Sequence, residues 1–171
     1  MVNLDKTWEI MDITEKENYV KWHNYAYKDD LEAAELLVEK HPRNAIVLGY
    51  YSMHNISKKY LGDVFSIKIP KDDTHSMTLK ALKEKIAKEA TKRRVIELMK
   101  LAQKEYEIFS KPKPELLSML LRYGKSERST QSYYHSPQIS KTDDSVGSKK
   151  AQDFLNNIVK PFIKIMKELD I

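Results

Sequence analysis

Hydrophobic residues recur at helical spacing along most of the chain, and the strongest such pattern lies in residues 43–62. One stripe of this segment contains Ile46, Tyr50, Met53, Ser57 and Tyr60, with Val47, Tyr51 and Leu61 beside it. The stripe is wider than a surface helix with one dry face needs, so it predicts a central helix covered on most sides. Gly49 costs this helix about 1 kcal/mol against alanine, which predicts that another backbone approaches closely there.

The flanking segments predict further helices. Residues 25–41 predict an amphipathic helix that ends at His41-Pro42, and the short connection makes it an antiparallel neighbour of the central helix. Apolar periodicity from 74 to 109 is broken near 89–94, which predicts two helices. Residues 149–169 predict the last helix, with a kink near 157–159 because Pro161 lies within it. The fold class predicted is all-α, an antiparallel up-down bundle of four to five main helices.

The segments between these helices give weaker signals. Residues 1–24 predict an N-terminal extension that packs on the bundle through Trp8 and Trp22, and 25–171 predict the bundle domain. Gly62 predicts the end of the central helix, and Asp73 or Thr74 can cap the helix after it. Residues 63–73 predict an extended loop, with a short strand as the alternative. The apolar run 116–121 predicts a short helix, and 125–148 predict a long polar loop before the last helix.

Composition narrows the class of protein. The 171 residues include no cysteine, which excludes disulfides, thiolate nucleophiles and cysteine-based zinc sites. No run approaches the roughly 18 apolar residues of a membrane span, so we expect a cytoplasmic protein without a membrane partner. Basic and acidic side chains number 5 against 10 in residues 1–42, and 14 against 8 in residues 43–110. This asymmetry fits either a polyanionic partner such as RNA or a lysine- and glutamate-rich surface.

Three segments in this order resemble the HEPN domains, the nucleotide-binding helical domains of higher eukaryotes and prokaryotes. The central GYYSMHNISKKYL is similar to the family's YYxMxHxAxxxL helix, and THSMTLKALKE is similar to the Thr-His opening of its third helix. KSERSTQSYY is similar to the Arg-x-x-x-x-Tyr stretch before its last helix. The resemblance covers roughly residues 25–169 and implies a helical bundle that usually forms a homodimer.

The same resemblance implies a function connected with RNA or nucleotides. Many members are metal-independent ribonucleases that carry an Arg followed, four to six residues on, by a His. Arg128 and His135 fit this spacing, although Ser129 follows the Arg where the common active form has Asn, Asp or His. Other members lack the motif and are thought to bind nucleotides or RNA, or to pair with a small nucleotidyltransferase.

The chemistry of RNA cleavage without metal assigns roles to this pair. Histidine titrates near neutral pH and suits the base that takes the 2′-hydroxyl proton, while arginine matches the scissile phosphate with a bidentate fork. On this hypothesis Arg128 binds the phosphate, His135 is the base, and Tyr133 or Tyr134 positions a base or phosphate. The alternative is that His135 is a solvated loop residue and that Arg128 forms an interhelical ion pair.

Other candidate residues lie on the predicted helices. Tyr50, Tyr51, His54 and His75 are candidate ligand-binding residues, and the alternative is that they are core or capping residues. The densest basic cluster is a candidate nucleic-acid contact or a solvated helix face, and it comprises Lys88, Lys92, Arg93 and Arg94. His23 and His41 are predicted to lie at the surface. No spacing of histidines supports a metal site, and no cofactor is expected.

Three hypotheses therefore follow from the sequence. The favoured one is a helical domain that binds nucleotide or RNA as a homodimer. The second is a toxin-like, metal-independent ribonuclease that uses Arg128 and His135. The third is a non-catalytic partner of a nucleotidyltransferase or another protein, with the central helix as the interface.

Overall fold

The computed structural model describes residues 8–110 and 147–171. This part of the chain is an all-α bundle with two very short strands, as predicted, and its elements are β1 (Glu9–Ile10), α1 (Ile13–Leu37), α2 (Pro42–Phe65), β2 (Ile67–Lys68), α3 (Thr74–Lys85), α4 (Glu89–Ser110), α5 (Ser148–Phe154), a π-helical segment (Leu155–Val159) and α6 (Lys160–Leu169). The helix predicted at 116–121 and almost all of the loop predicted at 125–148 lie outside the described residues. None of the helices described here combines the length and apolarity that a membrane span requires.

The central helix of the bundle is α2, as the sequence predicts. Its buried residues lie on several faces, because α1, α3, α4 and the C-terminal helix all pack against it. Pro42 opens the helix at a position where a backbone N–H would have no partner within the helix. The predicted stripe is buried in full, and it places Tyr50 and Met53 in the core of the bundle.

Helices α1 and α2 form an antiparallel hairpin. The two helices pack against each other extensively, and Ser52 Oγ on α2 donates to the Tyr27 carbonyl on α1 at 2.8 Å. α1 begins at Ile13, well before the predicted start, because Asp12 Oδ1 accepts from the Glu15 backbone N–H at 2.8 Å. The predicted boundary between 24 and 25 therefore falls inside a helix. Trp22 is 63% exposed, so its prediction as an anchor is wrong.

Gly62 does not end α2, contrary to the prediction. The helix continues to Phe65 and ends at Ser66, whose left-handed backbone (φ 57°) lets its N–H bond the Gly62 carbonyl at 3.0 Å. Gly62 is instead the point at which α1 approaches α2, since a Cβ there would lie 2.9 Å from Tyr19 Cδ1. The glycine allows close packing of the two helices and has no capping role.

The segment after α2 contains one short strand. β2 pairs with β1 in antiparallel register, with Glu9 opposite Lys68 and Ile10 opposite Ile67. The backbone N–H of Met11 extends this pairing by donating to the Ser66 carbonyl at 2.8 Å. The start of the described chain is thereby joined to the connection between α2 and α3.

The break predicted between the next two helices is confirmed. α3 ends at Lys85 and α4 begins at Glu89, so the interruption lies just before the polar run that signalled it. The apolar seam of α4 faces the core as predicted, through Val95, Leu98, Met99 and Ala102.

The C-terminal helix is continuous from Ser148 to Leu169 but widens into a π-helical turn directly before Pro161. This irregular turn lies where the kink was predicted, because a proline ring leaves a backbone carbonyl of the preceding turn without its usual donor. Its predicted seam is partly wrong. Phe154 and Phe162 are buried as predicted, but Ile158, Ile165 and Leu169 are only partly buried, while Leu155, Val159 and Met166 are buried in their place.

The π-helical segment packs on Gly49. A Cβ at Gly49 would lie 2.7 Å from Leu155 Cδ2, 3.1 Å from Phe154 Cε1 and 3.2 Å from Val159 Cγ2. The close approach that the sequence predicts at Gly49 is therefore real, although side chains make it and not a second backbone.

Candidate functional site

A cleft of about 510 Å³ opens beside the middle of α2, between α1 and the start of α3. We call it the α2 cleft, and its lining residues are Asp30, Tyr51, His54, Asn55, Lys58, Lys71, Asp73, Thr74 and His75. Its volume lies within the range of small-molecule sites, roughly 300–1,000 Å³. Polar and ionisable side chains supply most of this lining, so the cleft suits a charged or strongly polar ligand.

Two stacked histidines form the floor of the α2 cleft. The ring centroids of His54 and His75 lie 4.4 Å apart with an interplanar angle of 26°. Tyr50 holds both rings by presenting edge-to-face contacts, at 4.6 Å from His54 and 5.0 Å from His75. The predicted candidates on α2 and at the start of α3 are therefore brought together by packing around one buried tyrosine.

His54 is 3% exposed, and neither of its ring nitrogens has a hydrogen-bond partner among the described residues. Burial, together with the charges of His75 and Lys58, holds the pKa of His54 well below its usual range. The ring is therefore neutral near pH 7, with one donor and one acceptor left unused. The burial of His54 fits the alternative that it is a core residue, but its ring lacks the hydrogen-bond partner that a buried histidine normally has.

Replacement of His54 by leucine is expected to stabilise the protein. An unpartnered buried polar atom costs about 1–3 kcal/mol, and the loss of the ring contacts with Tyr50 offsets part of that gain, so we expect a net gain of about 1 kcal/mol. Urea unfolding at pH 7.5 measures it. His41→Leu is the matched control, because His41 is exposed and its change should alter stability by less than about 0.5 kcal/mol. A loss of stability in His54→Leu would contradict the unpartnered ring.

His23 is also buried, and it lies behind the cleft, although the sequence predicted it at the surface. Its Nδ1 lies 2.8 Å from Asn55 Oδ1, and Asn55 Nδ2 donates to Asp30 Oδ2 at 2.8 Å. A carboxylate only accepts, so the amide nitrogen of Asn55 faces Asp30 and the protonated Nδ1 of His23 donates to the amide oxygen. We call this chain of side chains the Asp30 relay. Burial lowers the pKa of His23 to about 4.

The cleft contains charges of both signs. Lys58 is half-buried and forms no ion pair with a carboxylate of the described residues, and burial lowers its pKa. Lys71 adds a second cation from the loop before α3. Asp30 stands on the opposite wall, on α1, where burial raises the pKa of its carboxyl group. A ligand that carries an anionic group at one end and hydrogen-bond donors elsewhere matches this distribution.

An aromatic ring borders the cleft. Tyr51 is 38% exposed, and its hydroxyl lies 3.3 Å from that of Tyr106 on α4. This hydrogen bond, with burial, raises the pKa of Tyr51 to about 12, so the phenol is neutral. Tyr106 is itself stacked on Tyr50 at 4.4 Å. The ring of Tyr51 is thus held by the core while part of its surface stays open to a ligand.

The start of α3 supplies backbone donors beside the same cleft. Asp73 occupies the capping position with a left-handed backbone (φ 52°) and makes no side-chain cap. Thr74 Oγ1 lies 2.9 Å from the Pro70 carbonyl and 2.8 Å from that of Lys71, so it does not cap the helix either. The predicted helix start is confirmed, but neither predicted residue caps it with its side chain.

The basic cluster at the start of α4 does not line the α2 cleft. Lys92 and Arg93 each lie 3.5 Å from the Glu89 carboxylate, and Arg94 lies 2.9 Å from that of Glu97. Lys88 is exposed just before the helix. These pairs fit a solvated helix face, and the nucleic-acid contact predicted for the cluster stays a prediction.

The remaining candidates, Arg128, Tyr133, Tyr134 and His135, lie outside the described residues. Sequence reasoning missed Asp30, Lys58, Lys71 and His23 as site residues. Lys58 follows His54 by one helical turn, which was the one available signal, but a lysine at such a position is normally assigned to the solvent face.

The described part of the chain is thus a helical bundle with a polar cleft of small-molecule size on its central helix. Within it, no group of three or more histidine and acidic side chains could hold a metal ion. Comparisons with protein-family models, with curated proteins and with solved structures gave no match to this chain.

Proposed function

We propose that this HEPN-like helical domain binds nucleotides or RNA, and that the α2 cleft is its binding site. The observation that carries the proposal is the half-buried amine of Lys58, which lines the cleft and forms no ion pair with a carboxylate of the described residues. Burial disfavours the charge of this amine in the free protein, and an anionic phosphate group beside it would stabilise that charge.

Further support comes from the groups around Lys58. Lys71 and the backbone donors at the start of α3 favour an anion, and Tyr51 offers a ring on which a nucleobase stacks. Base stacking on an aromatic ring tolerates any base, so this arrangement favours recognition of nucleotides in general over one sequence. The resemblance of residues 49–61 to the HEPN central helix points to the same class of ligand.

Lys58→Met is the variant that tests the proposal, because it removes the charge and keeps most of the stem. We expect nucleoside monophosphates and a short single-stranded RNA to bind at least tenfold more weakly. The slope of log K against log [salt] for RNA binding should fall by about 1, which corresponds to the loss of one phosphate contact. Calorimetric titration measures the first and fluorescence anisotropy at several salt concentrations the second. Lys104→Met, at an exposed position on α4, is the control and should bind as the parent does.

Two results would overturn the proposal. One is an absence of nucleotide and RNA binding by the parent protein at low salt. The other is RNA binding that Arg93→Ala weakens and Lys58→Met does not, which would place the contact on the start of α4. Incubation of the RNA with the parent protein and excess chelator separates binding from cleavage, and cleavage would favour the ribonuclease hypothesis based on Arg128 and His135.

A further inference from the structure

The Asp30 relay fixes one carboxylate of the α2 cleft with a precision that surface carboxylates lack. Asn55 Nδ2 holds Oδ2 of Asp30, and the buried His23 ring holds Asn55 from the other side. No side chain of the described residues donates to the second oxygen of Asp30, which is left to accept from a ligand in the cleft. Such an oriented acceptor selects for a ligand donor at a defined position.

Three groups of the cleft follow one another along a single face of α2. Tyr51, Asn55 and Lys58 are spaced by one helical turn each, so Asn55, which holds Asp30, lies about 6 Å beyond Tyr51 and Lys58 about 4.5 Å beyond Asn55 along the axis. The order of groups is aromatic ring, carboxylate and amine. A nucleotide has its base, ribose and phosphate in the same order and on a similar scale.

We propose that Asp30 accepts a hydrogen bond from the ribose 2′-hydroxyl, and that the α2 cleft therefore prefers ribonucleotides to deoxyribonucleotides. The inference rests on the proposed function and adds the class of sugar to it. When the base stacks on Tyr51 and the phosphate contacts Lys58, the ribose lies between them. This position is beside Asn55 and Asp30. A carboxylate is a common acceptor for ribose hydroxyls, because it accepts without offering a competing donor.

The geometry of Asp30 argues against recognition of a base edge. A carboxylate that reads guanine uses both of its oxygens to accept two parallel donors. One oxygen of Asp30 already accepts from Asn55, which leaves a single oxygen for the ligand. One free acceptor suits a single hydroxyl, so the preference should be the same for every base.

The test compares the binding of ribonucleoside 5′-monophosphates with that of their 2′-deoxy counterparts by calorimetric titration. For the parent protein we expect the ribonucleotide to bind roughly tenfold more tightly, as one hydrogen bond to a charged group predicts. In Asp30→Asn the side-chain oxygen can still accept from Asn55, but the group facing the ligand becomes an amide NH₂, which cannot accept a hydrogen bond from the 2′-hydroxyl. Loss of the carboxylate charge should strengthen the binding of both anionic nucleotides alike, and we expect the variant to bind the two sugars with equal affinity.

Asp29→Asn is the matched control. Asp29 is an exposed neighbour of Asp30 on α1, and its substitution removes the same charge. It should keep the tenfold preference. Equal binding of the two sugars by the parent, a preference that Asp30→Asn retains, or a preference that changes with the base would each overturn the inference while leaving the proposed function intact. An absence of all nucleotide binding by the parent would overturn both. If the Asp30→Asn variant does not fold, the comparison of ribonucleotide and deoxyribonucleotide binding by the parent protein decides the test alone.

Discussion

Acidification from pH 6.5 to pH 4 is expected to remove about 3 kcal/mol from the free energy of unfolding through His23 alone. Burial lowers the pKa of His23 from its usual 6.5 to about 4 in the folded protein. Between these two pKa values the unfolded chain binds a proton at His23 and the folded state does not, so acid favours unfolding. Each pKa unit of difference corresponds to about 1.4 kcal/mol. The stabilisation is complete above pH 6.5 and is lost as the pH falls toward 4.

Other histidines act in the same direction. Burial and the charge of Lys58 lower the pKa values of His54 and His75 as well, so both favour the unfolded state in acid. Urea unfolding as a function of pH measures the combined loss. His23→Gln keeps a donor for Asn55 but does not titrate, and its stability should fall by about 3 kcal/mol less than that of the parent over this range.

His41→Gln is the matched control for this experiment, since His41 is exposed. The free energy of unfolding of His41→Gln should depend on pH as that of the parent does. The comparison with this variant also corrects for the carboxylates that titrate near pH 4 in every variant. If His23→Gln and His41→Gln lose stability equally, His23 is not held in its neutral form by the fold.

Gly49→Val is expected to destabilise the protein by about 3 kcal/mol, because overpacking of a closed core costs about 1–3 kcal/mol and a branched side chain adds to it. A single Cβ at Gly49 already lies 2.7 Å from Leu155 Cδ2 and within 3.2 Å of two further side chains. The core around it is buried, so these neighbours have little space into which to move. The free energy of unfolding in urea measures the loss.

A double-mutant cycle with Leu155→Ala identifies the cause. Truncation of Leu155 alone leaves a cavity and costs about 2–5 kcal/mol, but in the Gly49→Val background it also makes room for the valine. The double variant should therefore be at least about 1 kcal/mol more stable than the sum of the two single changes predicts. Strict additivity would show that the valine does not meet the π-helical segment.

The helices that could be predicted from the sequence are those with a dense apolar period. α2 and α4 have such a period, so their positions and buried faces follow from it. The first half of α1 has few apolar residues, and Asp12 and the packing of Tyr19 on Gly62 stabilise it instead. Gly62 could not be recognised as a packing site, because a glycine near the end of an apolar period more often ends the helix.

The residues of the candidate site also fall into two groups, those that could be predicted from the sequence and those that could not. Tyr51, His54 and His75 were predicted because aromatic and histidine side chains on a core helix are unusual and therefore informative. Asp30 and Lys58 were not, since charged residues on helices mostly face solvent and only tertiary packing shows which of them are buried. The Asp30 relay joins residues on two different helices, and no local pattern in one sequence reveals such a pairing.

The α1–α2 hairpin has a kinetic consequence. Its two helices are adjacent in the chain and joined by a few residues, so their contacts close short loops and cost little chain entropy. The β1–β2 pairing joins positions that are far apart in the chain, so its formation closes a longer loop at a higher cost in chain entropy. The hairpin alone contains His23, Asp30, Asn55 and Lys58, so we expect this wall of the cleft to assemble early in folding and the histidine floor to close when α3 docks.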